Sequence, residues 1–143
     1  MESRQIPYRQ FDHTGDLGLE VEGTTLRVLF ENSGRALFDL LCDLDRVRSR
    51  DEIGILVEGV DRADLLVRFL SEVLYLFDVT GFQFCRFSFP LLEDRKLRAI
   101  GSGEIFREER HRALASIKAI THHQARVERS PEGLWEARLI LDI

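Results

Sequence analysis

The densest group of polar residues with chemical potential lies near the N-terminus. It comprises five consecutive residues, Asp12, His13, Thr14, Gly15 and Asp16. Turn-forming residues at this density expose several side chains at once, and the simplest interpretation is a capped turn that leads into a strand. The alternative is a carboxylate site, in which Asp16 occupies the polar side of the strand that begins there.

The last residues of the chain offer two further carboxyl groups. Asp142 falls outside the apolar alternation of its neighbours, and this alternation predicts a strand that continues to Ile143. The Asp142 side chain and the α-carboxylate of Ile143 are therefore expected close together. If the last strand lies near the first, Asp16 joins them, and three carboxylates repel one another unless a cation binds between them. Ligation by oxygen alone favours calcium, magnesium or manganese.

Histidines form a third group of candidates. His122 and His123 are adjacent on a predicted strand, so their side chains point to opposite faces and cannot bind one ion together. His123 shares the apolar side of the strand, which is typical of a partly buried, hydrogen-bonded histidine. A zinc site built from His13, His111 and His123 has no supporting ligand spacing.

Elsewhere the sequence carries no signature of a common enzyme class. Gly101 and Gly103 lie within a strand pattern and not in a phosphate-binding loop before a helix. Neither a serine-nucleophile elbow nor a zinc-protease motif is present. Lys118 and Glu104 fall on the polar sides of neighbouring predicted strands, which indicates a cross-strand ion pair.

Hydrophobic periodicity predicts the elements that position these residues. Strands are predicted where apolar and polar residues alternate, and helices where apolar residues recur every three or four positions. The predicted order is strand 16–22, helix 25–42, strand 53–57, helix 61–80, and strands 82–89, 96–106, 117–129 and 135–143. A threonine before the first helix, Asp61 before the second and Gly81 after it are expected as caps.

This order predicts an α+β fold in two layers. Two amphipathic helices would pack on a mixed or antiparallel sheet, in the order β-α-β-α-β-β-β-β. With 143 residues, the chain is expected to form a single domain, residues 1–143. A composition of 44% hydrophobic and 31% charged residues is that of an ordinary globular protein.

Charge, cysteines and hydropathy bear on location and partners. The chain has 20 basic and 25 acidic residues, a net charge of −5, so strong direct binding to nucleic acid is not expected. Cys42 and Cys85 lie far apart without a metal or disulfide pattern, which favours reduced cysteines. With no membrane-spanning run and no secretory signal, we expect a cytoplasmic protein that does not bind membranes.

Several segments together resemble the archease family. The matching motifs follow in order over nearly the whole chain: residues 12–18, 23–26, 29–30, 36–38, 103–104, 118–123 and 142–143. Each motif is short, but their combination with the Asp142-Ile143 ending is specific. Gly15 stands where the family usually has Ala, and His122 where it usually has an aromatic residue, so the role of position 122 stays open.

The resemblance implies an activator protein, not an enzyme. Archeases are cofactors of the RtcB-type RNA ligase in tRNA splicing and RNA repair, and they promote guanylylation of the ligase histidine and multiple turnover. The family's divalent-metal site, seen as calcium, implies Asp16, Asp142 and Ile143 as ligands in this chain. We expect the surrounding partner surface to comprise Asp12, His13, Glu104, Lys118 and His123.

Two other functions remain open from the residues alone. A stand-alone metal-dependent hydrolase would use the same carboxylates, although no base or nucleophile is evident. A metal-independent accessory protein of RNA processing would bind its partners without a cation. Metal titration and a test of turnover without any ligase distinguish these alternatives.

Overall fold

Two separate antiparallel sheets dominate the computed structural model, which describes residues 6–143. In chain order the elements are β1 (Tyr8–His13), β2 (Asp16–Gly23), α1 (Leu26–Leu41), a 3₁₀ turn (Leu44–Arg46), β3 (Asp51–Glu58), α2 (Arg62–Thr80), β4 (Phe82–Leu92), β5 (Lys96–Ile105), β6 (Ala119–Arg129) and β7 (Trp135–Asp142). The four-stranded sheet has the order β1-β2-β7-β6, and the three-stranded sheet the order β3-β5-β4.

The predicted α+β class and element order are confirmed, with one added strand and a divided sheet. β1 was not predicted, because Tyr8 and Phe11 are three positions apart and give no period of two. It pairs with β2 through a tight turn at Thr14 and Gly15. Gly15 has φ 73°, a left-handed conformation that favours glycine at the third position of a turn. The polar cluster is therefore a hairpin and not only a turn before the first strand.

Local signals set both helix boundaries as predicted. The Thr25 hydroxyl accepts a hydrogen bond from the Val28 N–H at the start of α1, with a distance of 3.1 Å. Asp61 accepts from the Asp64 N–H at the start of α2, at 2.8 Å. Gly81 ends α2 in the left-handed region at φ 79°. Neither helix within the described residues is long and apolar enough to cross a membrane.

Aromatic rings join the helices to the sheets in one core. The ring centroids of Phe30 on α1 and Phe69 on α2 are 6.3 Å apart. Phe38 on α1 meets Phe84 on β4 edge-to-face at 5.5 Å, and all four rings are fully buried. Such contacts add about 0.5–1.5 kcal/mol each to the burial of the rings. The helices therefore pack on one face of each sheet, and the other face lies at the surface.

A bulge interrupts β6. The strand advances five residues from Thr121 to Arg126 while β7 advances two, so three residues are inserted. Gln124 within the bulge has φ 55°, in the left-handed region. An odd insertion inverts the alternation, so Ile120 faces the core before the bulge and Val127 after it. The uninterrupted alternation predicted for this strand is wrong for this reason.

Candidate carboxylate site at the end of the four-stranded sheet

Strand register places the two predicted aspartates side by side. In the pair of β2 and β7, Leu17 lies opposite Leu141, so Asp16 and Asp142 form the next row. Directly opposed residues of an antiparallel pair share a face, with Cβ atoms roughly 4.5–5.5 Å apart. Because Leu141 belongs to the core, both carboxylates lie on the opposite face of the sheet, here called the outer face.

The row continues with His13 on one outer strand, β1, and with Ala119, opposite Asp142, on the other, β6. His13 on β1 lies opposite Asp16, and its Nδ1 is 3.5 Å from Asp16 Oδ2. The His123 ring lies edge-to-face on the His13 ring, with centroids 5.5 Å apart. Since β2 and β7 separate the two outer strands by roughly 14 Å, this contact requires the bulge of β6. The bulge thus brings His123 beside the aspartate row.

The oxygen donors of this row fit a hard divalent cation. Two opposed carboxylates repel each other, and a cation between them relieves that repulsion with the oxygen ligands it prefers. Among residues 6–143, no three His, Cys, Asp or Glu side chains are grouped so as to hold a metal ion. A cation at this row would therefore need a further oxygen donor. Ile143 follows Asp142 directly in the chain and is 49% exposed.

The other predicted surface residues do not all lie on the same face as this row. The Lys118 N–H donates to the Asp142 carbonyl oxygen at 2.7 Å, which places Lys118 at the same end of the sheet. Asp12 lies opposite Leu17 and thus on the helix-facing side of the sheet at its outer strand. His123 is exposed, so its predicted partial burial is wrong, because the bulge lifts it out of the strand alternation.

Glu104 does not belong to the surface around the row. It lies on β5 in the other sheet and is 2% exposed. Its carboxylate accepts from the Arg48 N–H at 2.8 Å and from the Arg110 guanidinium, and lies 2.9 Å from His111 Nε2. Burial alone raises the pKa of Glu104, but these hydrogen bonds and the Arg110 charge outweigh it and lower the pKa. The predicted ion pair with Lys118 is wrong, because β5 and β6 belong to different sheets.

His122 contacts a helix, a role that no sequence pattern indicated. Its Nε2 lies 2.7 Å from Oδ1 of Asp64 in the first turn of α2. The other Asp64 oxygen accepts from the Val60 N–H at 2.8 Å and from Arg68 Nε at 2.9 Å. Burial raises the pKa of Asp64, but these contacts outweigh it and lower the pKa overall. His122 and His123 thus point to opposite sides of β6, as predicted, and His122 ties the bulge to α2.

Comparison with known proteins identifies the family. The model of the archease protein family (MTH1598/TM1083) matches residues 8–143. The chain belongs to the archease family. The archease of Pyrococcus furiosus is 40% identical over 139 residues, which cover 95% of this chain and 98% of that protein. The archease of Methanosarcina mazei is 33% identical, with both chains covered completely.

Solved structures agree with this archease fold. The solution structure of protein 1598 of Methanobacterium thermoautotrophicum superposes with a TM-score of 0.79 at 28% identity, covering 97% of this chain and all of that one. A crystal structure from Thermotoga maritima, described as an archease and possible chaperone, gives a TM-score of 0.61 over both full chains. At 15% identity, this second likeness shows the fold alone.

Proposed function

We propose that this archease activates an RtcB-type RNA ligase in tRNA splicing and RNA repair. It would promote guanylylation of the ligase histidine and multiple turnover, as a protein cofactor in the cytoplasm and without catalysing a reaction itself. The observation that carries the proposal is the adjacent pair of Asp16 and Asp142, in a chain that belongs to the archease family over residues 8–143. With a net charge of −5, strong direct binding to bare RNA is not expected, which favours a protein partner.

We further propose that Asp16, Asp142 and Ile143 hold a divalent cation. Calcium is the first choice, with magnesium or manganese as alternatives, because the donors are all oxygens. Such a cation supplies positive charge that can offset a nucleoside triphosphate. His13 lies beside Asp16, with its Nδ1 3.5 Å from Asp16 Oδ2. Lys118, directly before β6, and His123, within β6, lie beside the row.

Single-turnover guanylylation of the ligase tests this function. We expect the wild-type protein to accelerate the formation of the ligase–guanylate in the presence of calcium. Asp16→Asn and Asp142→Asn should lose that acceleration, because each removes one carboxylate of the row. Glu58→Gln, an exposed carboxylate on β3 of the other sheet, is the matched control and should accelerate like the wild type.

Each outcome bears on a different part of the proposal. No acceleration by the wild-type protein of a ligase that is otherwise competent contradicts the activator function. Full acceleration by both aspartate variants contradicts the role of the carboxylate row. Direct calcium titration of the wild type and the two variants then measures cation binding without reference to ligase activity.

A metal-independent accessory function is the second candidate. It is favoured by the lack of a cluster of three metal-ligating side chains among residues 6–143. In that case the chain would bind its partner through surface contacts alone. Acceleration that persists unchanged in a chelator would support this second candidate over the first.

A further inference from the structure

The bulge of β6 connects α2 to the aspartate row through two adjacent histidines. His122 Nε2 lies 2.7 Å from Asp64 Oδ1, in the first turn of α2. On the opposite side of the strand, the centroid of the His123 ring is 5.5 Å from that of His13 on β1. Within the described part of the chain, His122 forms the one side-chain hydrogen bond that joins the bulge to another element. The position of the bulge therefore depends on this bond.

The bond between His122 and Asp64 joins the bulge to a buried, charged group. Asp64 is 8% exposed, and although burial raises its pKa, its hydrogen bonds and the charge of Arg68 lower the pKa overall. The carboxylate is therefore ionised at neutral pH, so His122 donates to it from Nε2. The other Asp64 oxygen accepts from Val60 and Arg68, which leaves His122 as the described partner of Oδ1. Loss of His122 would leave a buried carboxylate oxygen without a partner, which is unfavourable.

At the row itself, packing holds His13 in place. Its Nδ1 is buried, has no hydrogen-bond partner among the described residues and lies 3.5 Å from Asp16 Oδ2. A ring that was free to turn would move this nitrogen toward water, because a buried polar atom without a partner is unfavourable. The His123 ring lies edge-to-face on the His13 ring. The position of His123 therefore helps to fix the imidazole beside Asp16.

We propose that His122 is a positioning residue for the cation site of the aspartate row. Its bond to Asp64 fixes the bulge, and the bulge sets the position of the His123 ring. That ring in turn holds the His13 imidazole beside the Asp16 carboxylate. Groups that contact a metal-binding carboxylate from outside influence metal affinity, and their loss lowers it by roughly 10–100-fold. This inference rests on the proposed function, because it concerns the affinity of the same cation site.

Substitutions on the two sides of the Asp64 carboxylate test this role. His122→Ala removes the partner of one oxygen and frees the bulge, whereas Arg68→Ala removes a partner of the other oxygen from within α2 itself. We expect His122→Ala to bind calcium roughly tenfold more weakly in a calorimetric titration, at the lower end of the range for such groups. Arg68→Ala is the matched control and should bind calcium like the wild type. His122→Gln, whose amide can donate to Asp64, should restore most of the affinity.

A second measurement follows the histidine pair without any cation. In the metal-free protein, NMR cross-relaxation between the ring protons of His13 and His123 reports their edge-to-face contact. We expect this signal in the wild type, in Arg68→Ala and in His122→Gln, and we expect its loss in His122→Ala. Urea unfolding of all four proteins measures the accompanying changes in stability, which distinguishes a local rearrangement from a general loosening of the fold.

The outcomes separate this inference from the proposed function. If the wild type binds calcium and His122→Ala binds it equally well, the positioning role is wrong and the cation site stands. Weaker calcium binding by His122→Ala with an intact ring contact contradicts the route through His123. If Arg68→Ala loses as much affinity and ring contact as His122→Ala, the effect is a general destabilisation of α2, and the inference is wrong.

A failure of the cation site itself has a different signature. If the wild type binds none of calcium, magnesium and manganese, the proposed cation site fails and this inference fails with it. His122→Ser, a second variant without the donor ring, replaces His122→Ala if thermal unfolding shows that the latter misfolds.

Discussion

At the scale of single residues, the pairing of Asp16 with Asp142 is unfavourable without a counter-charge. Opposed like charges in an antiparallel pair cost roughly 0.2–1 kcal/mol, and the side chain beside them in the row is a histidine, His13. A sheet end gains nothing in stability from such a pair. The cation proposed above would supply the missing counter-charge.

Asp142→Asn should therefore stabilise the isolated protein. We expect the free energy of unfolding to rise by roughly 0.5 kcal/mol in a chelator, because the like-charge repulsion is removed. In excess calcium the order should reverse, with the wild type more stable than the variant. Urea unfolding under both conditions measures this difference. A variant less stable than the wild type in the chelator would mean that Asp142 has a structural role.

Glu104→Gln should destabilise the protein and flatten its dependence on pH. Replacing one member of a buried charged cluster costs about 3 kcal/mol. The folded pKa of Glu104 is lowered from its usual 4.5, so its contribution to stability is full above that value and is lost as the pH falls toward the folded pKa. Urea unfolding between about pH 3 and pH 7 measures the loss.

The control for this change is Glu109→Gln, an exposed carboxylate in the segment between β5 and β6. It should keep the wild-type pH dependence, to which the lowered pKa of Asp64 also contributes. If Glu104→Gln and Glu109→Gln have the same acid profile, the buried cluster is not the source of the acid sensitivity.

Sequence reasoning predicted the aspartate row but misplaced Glu104, for a physical reason. Asp16 and Asp142 lie at strand ends, and the alternation of their neighbours shows which face each occupies. In the alternation of β5, Glu104 likewise falls on the outward side of the strand. Its burial depends on Arg110 and His111, which fold back over the sheet from a segment that has no periodicity.

At the scale of elements, β4 and β5 approach each other closely where Glu104 is held. A Cβ atom added at Gly103 would overlap the carbonyl of Gln83 and lie 3.1 Å from Phe84 Cα. Only a glycine fits between these two strands at that position. The close approach lies at the strand end that carries Glu104, which contacts Arg110 and His111.

Gly103→Ala and Gly54→Ala should thus have opposite effects on stability. We expect Gly103→Ala to lower the free energy of unfolding by about 2 kcal/mol or more, because the strands must separate. Gly54 on β3 has no heavy atom within 4 Å of an added Cβ, so alanine should stabilise by roughly 0.5 kcal/mol. Chemical denaturation measures both, and a stabilised Gly103→Ala would contradict the close packing.

The helices, whose capping residues are close to them in the sequence, were predicted well. The bulge of β6, which depends on residues far away in the sequence, was not predicted. The capping residues Thr25, Asp61 and Gly81 lie within a few positions of the helices they bound. The bulge of β6 depends on contacts that are far away in sequence, from His122 to Asp64 and from His123 to His13. The alternation of apolar and polar residues cannot reveal inserted residues when contacts elsewhere in the molecule offset the free-energy cost of the bulge.

At the scale of the whole molecule, cation binding should appear as a change in global stability. A cation that binds only the folded state stabilises it by about 2.7 kcal/mol at a concentration 100-fold above its Kd. We expect calcium to raise the unfolding temperature of the wild type but not that of Asp16→Asn. Extending the 143-residue chain beyond Ile143 with a short glycine-serine tail should reduce this rise, because it replaces the α-carboxylate with an amide. An unchanged response in the extended protein would exclude Ile143 as a ligand.

The pairing of β2 with β7 also has a consequence for biosynthesis. Leu17 and Leu141 face each other although roughly 120 positions separate them. A ribosome needs on the order of ten seconds to make that stretch. During this time the nascent hairpin of β1 and β2 has no partner for its inner edge. Asp16 therefore acquires its neighbour only when translation reaches the last strand. A nascent chain interrupted before that point carries half of the carboxylate row, so premature termination yields a protein that lacks the paired aspartates.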